Sequence, residues 1–361
     1  NPNEGEKKFD VVIELIIALV VSLILGFGGW FVYATVTGTP VVFFNHTIVL
    51  TADKLVEFIA YFDSLIWPAI ALGQIITMKA RCKASLKRIS DFLDYEEEIS
   101  NCENPVVVDS IQGEIEFKNF SFKHASKLDP VLTDISLKIN AGESIGVVGR
   151  IGRGKTTLVN SLLRLYNVEK GTIYIDNIDI MDFDIASLRN LIAYVPQDNF
   201  LFSDTVENNI NFSNKGTKED IEEAAKFADV HDNIVEFKEG YQTVTGERGV
   251  TLSGGQKQRI SIARAYIKDS PIMILDDSVS AVDVKTEETI LKNIQEKRKG
   301  KTTIVVASRV STVNKLDRII VLADGKLEAF DTPENLLKVS PTYQKMVYLQ
   351  ELEKEVEGGS R

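Results

Sequence analysis

The stretch Gly149-Arg150-Ile151-Gly152-Arg153-Gly154-Lys155-Thr156-Thr157 restricts this chain more than any other. It follows G-x-x-x-x-G-K-[ST], the pattern of a loop that wraps a phosphate. The flanks agree with it. Residues 144–148 (SIGVV) are short and apolar, as a buried strand is, and residues 158–162 (LVNSL) begin a helical run. A phosphate loop needs that strand–loop–helix order. Glycines let successive backbone N–H groups turn inward onto an anion, the helix N-terminus adds partial positive charge, and Lys155 adds a full one. Thr156 then offers its hydroxyl to Mg²⁺. The pattern predicts an α/β domain that binds a nucleoside triphosphate, with residues 149–157 as the cradle.

A length of 361 residues allows two or three domains with ample core in at least one. The net charge of −11 and the lack of a dense basic block argue against a nucleic-acid partner. Cys82 and Cys102 are too far apart for a C-x-x-C pair and read as reduced and incidental.

Two stretches ahead of the loop are apolar enough to leave water. Residues 11–36 are apolar apart from Glu14 and a few small hydroxyl residues. As a helix they would run ~39 Å, against a hydrocarbon core of ~30 Å. That length, and the lack of a small-residue cleavage site with a secreted domain, excludes a signal peptide. Residues 37–54 carry Gly38 and Pro40 and read as a loop with some structure. Residues 55–78 form a second span, interrupted by Pro68 and bearing Glu57, Asp63 and Gln74. Lys79, Arg81, Lys83, Lys87 and Arg88 follow it and mark the cytoplasmic side; Lys7 and Lys8 put the first flank there as well. The spans are therefore expected to form a hairpin whose tip, near residues 43–51, faces outward. Asn45-His46-Thr47 is a formal glycosylation sequon, weak on its own. Glu57 and Asp63 keep two readings open. Either they line a polar cavity and touch substrate, or the helix extends past the bilayer and Glu57 lies near its outer mouth.

Residues 80–95 continue the second span as a charged helix. Residues 96–112, acidic and with Pro105, read as a linker. The soluble domain is expected from residue 113, with strands at 114–117, 120–122, 136–139, 145–148, 172–175, 192–195, 271–275, 303–307 and 318–322 in a parallel-type sheet. Residues 204–268 read as mostly helical and 339–356 as a charged terminal helix, with 350–361 as the C-terminal tail, flexible over its last five residues, Glu357 to Arg361.

The strand at 271–275 ends in Asp276, about 120 residues after the phosphate loop. A buried strand that delivers a carboxylate to its carboxyl end can hold Mg²⁺ through water. Leu252-Ser253-Gly254-Gly255-Gln256 is the other informative stretch. Ser253 is a natural N-cap and residues 257–267 are strongly helical, so a second helix N-terminus seeks an anion. The phosphate loop already has its own helix, which suggests a phosphate held by another subunit.

Together these motifs make residues 113–349 resemble the nucleotide-binding domain of an ATP-binding-cassette (ABC) transporter. Residues 11–95 resemble the last two helices of an exporter-type half-transporter. The resemblance implies an α/β P-loop nucleotide-binding domain with a helical subdomain, preceded by an all-α transmembrane hairpin. It implies ATP and Mg²⁺ as cofactors, the metal held by Thr156, Gln197 and, through water, Asp276. Leu252, Ser253, Gly254, Gly255 and Gln256 would be the signature that contacts ATP on a partner's phosphate loop. Gln197, in Tyr194-Val195-Pro196-Gln197, stands where the family's glutamine links the Mg²⁺ site to the membrane domain. Thr245-Gly246-Glu247-Arg248-Gly249 resembles the segment touching the coupling helices, and Ser280-Ala281-Val282-Asp283 the loop at the dimer seam.

Three positions depart from the family pattern. Its general base is a glutamate after the metal-site aspartate; here the residue is Asp277, a methylene shorter, so its carboxylate falls short of the attacking water. Its switch histidine is Ser308, which cannot hold a γ-phosphate and the water together. Its adenine-stacking aromatic is His124, a smaller platform. General acid–base groups contribute ~10²–10⁴ in rate, so this site is expected to bind MgATP and hydrolyse it slowly. The chain is then expected to pair with a second, non-identical half-transporter in the plasma membrane, among membrane lipids, and to export a small hydrophobic or amphipathic substrate. The alternative is an ATP-gated channel or regulatory subunit that does not pump. A soluble cassette protein of translation or repair is disfavoured by the two spans. Half-exporters have six membrane helices, so an upstream portion is expected beyond the two present, with residues 1–10 as the end of an intracellular helix.

Overall fold

The computed structural model describes residues 2–39, 41–43, 46–95, 97–125, 128–213, 216–246, 252–279 and 282–358. Asn45, Glu247, Arg248, Gly249, Ser280 and Ala281 lie outside these. The chain forms two compact units, Asn1–Glu96 and Glu97–Arg361.

In the first unit, α1 (Pro2–Val36) is followed by the short strands β1 (Val41–Phe43) and β2 (His46–Ile48) and by α2 (Ala52–Leu93). The stretch read as a loop is a two-stranded antiparallel ribbon, with Val41 opposite Ile48. The Leu50 N–H donates to Thr35 Oγ1 at 3.1 Å and ties the ribbon to α1. Among the described residues two helices are long and apolar enough to cross a membrane: α1 over Val11–Val36, and α2. At 42 residues, α2 runs roughly 63 Å, about twice a hydrocarbon core, and continues through Pro68. Large apolar side chains on both helices, among them Leu19, Trp67 and Ile76, are exposed. That surface suits lipid rather than water. A Cβ on Gly28 would collide with the Leu55 side chain, so the two helices approach closely where α1 is bare.

The second unit opens with β3 (Ile115–Phe122), β4 (Leu132–Ile139), β5 (Ser144–Gly149), α3 (Lys155–Leu162), β6 (Ile173–Ile175), β7 (Ile178–Asp179), α4 (Ile185–Leu191) and β8 (Ile192–Val195). A helical stretch follows: α5 (Val206–Ile210), α6 (Lys218–Phe227), α7 (His231–Val235) and α8 (Gly254–Ile267). Then come β9 (Ile272–Asp276), α9 (Val284–Lys297), β10 (Thr302–Val306), α10 (Val310–Val313), β11 (Arg318–Ala323), β12 (Lys326–Asp331), α11 (Pro333–Val339) and α12 (Pro341–Gly358). Helix α12 thus occupies most of the expected tail.

The strands form two sheets rather than the single parallel-type sheet expected. One is six-stranded in the order β12-β11-β5-β10-β9-β8, parallel except for β12. The other is four-stranded and antiparallel, β4-β3-β6-β7. A tight turn closes one edge of the second sheet, the β6–β7 pair. Asp176 and Asn177, between β6 and β7, sit at φ 48° and 64°, the left-handed pair that closes a two-residue hairpin. The segments 114–117 and 120–122 are one strand, β3, whose pairing with β4 is irregular around Asn119 at φ 48°.

Buried strands of the six-stranded sheet serve two cores. Met273 and Leu275 of β9 face the helices, with Phe227, Ile260 and Ile290; Ile272 and Ile274 face the antiparallel sheet, with Ile115, Phe117 and Leu132. This two-sided burial is why β9 reads as an unbroken apolar run. Strands β5, β10, β9 and β8 are parallel neighbours, so Gly149, Ser308, Asp276 and Gln197 emerge at the same edge. The expected linker is held on this unit: Val106 donates its N–H to Asp182 O at 2.7 Å, and Ser187 Oγ donates to Val108 O at 2.6 Å.

Candidate functional site

The phosphate loop leaves β5 and enters α3. Its final glycine, Gly154, is the N-cap of α3 at φ 91°, a left-handed conformation. A Cβ there would lie 2.6 Å from Leu132 Cδ2, and Leu132 is fully buried. Only glycine fits between the loop and the antiparallel sheet. Lys155 is nearly buried; its Nζ donates to Gly149 O at 2.8 Å and Arg150 O at 3.3 Å, so the ammonium lies along the mouth of the loop. Burial lowers its pKa, while the charges of Asp277 and Asp276 oppose that shift. Arg150 and Ile151 are exposed, and Arg153 pairs with Asp324 at 3.2 Å in solvent, where such a pair contributes little. Thr157 is buried within α3, its carbonyl accepting from Ser161 Oγ one turn on at 2.8 Å.

Asp276 ends β9 at 1% exposure. Its Oδ1 accepts from Thr156 Oγ1 at 3.2 Å and its Oδ2 from the Tyr194 hydroxyl at 3.3 Å. Burial raises its pKa above the usual carboxylate range; the two hydrogen bonds act the other way. Thr156, Asp276 and Gln197 line one cleft with Gly152, Gly154, Lys155, Asp277, Ser308 and His124. A hydroxyl, a carboxylate and an amide oxygen are hard donors of the kind Mg²⁺ takes. The residues therefore fit both the metal and the phosphates it accompanies.

The two catalytic departures meet in this cleft. Asp277 adopts φ 48°, its N–H donates to Val306 O at 3.0 Å, and its Oδ2 accepts from Ser308 Oγ at 3.3 Å. Asp277 and Ser308, the two positions expected to depart from the catalytic pattern, are thus hydrogen-bonded to each other. His124 presents its edge to Phe122, centroids 4.9 Å apart, and to Tyr166 at 5.0 Å.

Leu252, Ser253, Gly254, Gly255 and Gln256, expected to act as a signature, are not among the residues that line this cleft. Leu252 is buried in the helical core. Ser253 caps α8 through a reciprocal pair: Gln256 N–H donates to Ser253 Oγ at 3.2 Å, and Ser253 N–H to Gln256 Oε1 at 3.0 Å. Gly254 and Gly255, with no side chains beyond Cα, form the first turn of α8 between those two capping residues. Asp283 caps α9, accepting from Thr286 N–H at 3.0 Å. Sequence reading did not single out Tyr166 and Tyr194. Tyr194 stands three residues before Gln197, so its β-strand setting was visible, but its contact with Asp276 follows only from strand order.

Residues 132–280 match the family model described as ABC transporter. The chain is 40% identical over 304 residues to "Putative multidrug export ATP-binding/permease protein YgaD" of Bacillus subtilis, covering 84% of this chain and 52% of that protein. It is 38% identical over 343 residues to "ATP-dependent lipid A-core flippase" of Shigella flexneri, covering 94% and 56%. Among solved structures it resembles "Structure of a bacterial Atm1-family ABC exporter with ATP bound", with a TM-score of 0.76 and 32% identity over 94% of this chain and 58% of that one. The chain thus spans a little over half the length of the relatives it matches. It has the ABC exporter fold of that structure, a helical membrane portion followed by a nucleotide-binding domain, and residues 132–280 match the family model.

Proposed function

We propose that the chain belongs to one subunit of a heterodimeric ABC exporter, and that it binds MgATP at a site that hydrolyses slowly. The observation that carries this reading is the Asp277–Ser308 hydrogen bond beside an otherwise complete phosphate and metal site. Residues 149–157 bind the phosphates, with Lys155 drawn from its loop carbonyls onto them, and His124 meets the adenine. Thr156, Asp276 and Gln197 hold Mg²⁺, which draws charge from the phosphate oxygens when bound. Asp277 lacks the reach to take a proton from water, and Ser308 lacks an imidazole to bridge water and γ-phosphate. Losing those placements costs ~10²–10⁴ in rate while binding persists.

The second half of the reading lies in trans. The cap geometry of Ser253, Gly254, Gly255 and Gln256 presents a helix N-terminus that supports a phosphate contact on the partner, and Asp283 would lie at the seam. A non-identical half-transporter would then supply the glutamate and histidine of a competent site. The names of the relatives, multidrug export and lipid A-core flippase, support a small hydrophobic or amphipathic substrate moved across the plasma membrane. The nucleotide-binding unit would lie in the cytoplasm and the β1–β2 tip outside. Measuring ATP hydrolysis by this chain alone, then with its partner, tests the account. Hydrolysis by the chain alone as fast as that of ordinary exporters would sink it.

A further inference from the structure

Asp276 is gripped from two sides, and one grip comes from a residue outside the phosphate loop. In the parallel pairing of β8 with β9, Tyr194 lies opposite Ile274. Asp276 is two residues further along β9 on the same face, within diagonal reach of a long aromatic side chain. The phenol spans that diagonal, its hydroxyl donating to Oδ2 at 3.3 Å while Thr156 holds Oδ1 at 3.2 Å. The ring packs beside the core between the sheets, so the hydroxyl has a fixed origin. A carboxylate at 1% exposure has little water to orient it; these two donors set which oxygen lone pairs face the cleft. Three residues after Tyr194, Gln197 lines the same cleft. The strand that carries the glutamine therefore also carries a handle on the carboxylate.

We infer that Tyr194 is a positioning residue for the Mg²⁺ site, holding the Asp276 carboxylate in the orientation that receives the metal and tying it to the strand that leads to Gln197. The inference rests on the MgATP reading above. Tyr194 is not among the residues that line the cleft; it acts through Asp276. A phenylalanine keeps the ring and its packing and removes only the hydroxyl, so Tyr194→Phe separates orientation from core stability.

The test is a titration of fluorescent ATP binding to the full chain, with Mg²⁺ varied from an EDTA-buffered zero upward. Thermal unfolding is followed on the same samples without nucleotide. For Tyr194→Phe the midpoint in Mg²⁺ is expected to rise roughly 10-fold, the range for one hydrogen bond to a charged group. ATP binding in EDTA is expected to stay at the wild-type value, and the unfolding temperature to fall by roughly 2–12 °C, the cost of one buried hydrogen bond. Tyr194→Leu, which also loses the ring, is expected to raise the Mg²⁺ midpoint at least as much. An unchanged midpoint in Tyr194→Phe overturns the inference. So does an equal loss of binding in EDTA and in Mg²⁺, which marks a structural role. If the wild-type chain binds no ATP under either condition, the nucleotide-site reading fails instead, and the two failures are distinct.

Discussion

Replacing Gly154 with alanine should damage the cradle in a way that can be dissected against a matched control. Gly154 and Gly152 both hold left-handed backbone, at φ 91° and 77°, which costs an L-residue about 1–2 kcal/mol. Their surroundings differ. A Cβ on Gly152 meets nothing within 4 Å, whereas one on Gly154 lies 2.6 Å from Leu132 Cδ2, 3.1 Å from its Cγ and 3.2 Å from Val131 Cγ1. Leu132 is fully buried between the sheets, so it yields only by repacking against its core neighbours. Overpacking of this kind costs about 1–3 kcal/mol more. The nucleotide-free Gly154→Ala variant is therefore expected to unfold roughly 2–12 °C below Gly152→Ala, at about 2–4 °C per kcal/mol for a domain of this size. Differential scanning fluorimetry of the two purified variants measures that gap. Equal unfolding temperatures would refute the argument that Leu132 sets the shape of the loop.

Other expectations are more compact. Ser253→Ala removes the oxygen that accepts from Gln256 and should cost about 1 kcal/mol in chemical denaturation. In the assembled pair it should also slow the partner's hydrolysis while this chain's own ATP binding holds. Asp283 has its carboxyl held below the usual range by the Thr286 N–H at the start of α9. A depressed carboxylate stabilises the fold above its unfolded pKa and loses that effect as the pH falls through the folded one. Asp283→Asn, which keeps the cap, should therefore flatten the acid limb of the stability–pH curve and leave neutral pH nearly unchanged; an unaltered acid limb would contradict this. Gln350 of α12 accepts from the Val310 and Ser311 N–H groups at 3.1 and 3.2 Å, just after Ser308. Gln350→Ala should lower stability by about 1–3 kcal/mol, and Gln350→Glu, still an acceptor, should restore most of it.

The parts of this site that were legible in the sequence are those packed into contiguous residues. The loop 149–157 needs its glycines and lysine in order, and β9 needs an unbroken apolar run because both its faces are covered. Ser253 announced its cap by residue type and by the glutamine three positions on. Strand direction was not legible in the same way. Residues 115–122 and 173–175 have the alternation of any half-buried strand, and their antiparallel pairing joins segments far apart in sequence, which no local pattern announces. The tip of the first unit shows a similar limit, since three-residue strands are too short for a periodic signal. Tyr194, Tyr166 and Gln350 were missed for a third reason. Their contacts with Asp276, His124 and α10 cross 82, 42 and 40 positions of sequence, and strand order and helix docking, rather than local pattern, create them.

The central claim is that Asp277 and Ser308 together limit this chain's own hydrolysis. Their direct hydrogen bond makes them a coupled pair, so the decisive measurement is steady-state ATP hydrolysis by the chain alone as wild type and as Asp277→Glu, Ser308→His and the double variant. The account predicts slow wild-type turnover, little gain from either single change, and a gain on the order of 10²-fold or more in the double variant. A double variant no faster than wild type, or a wild type already as fast as the double variant, would contradict it.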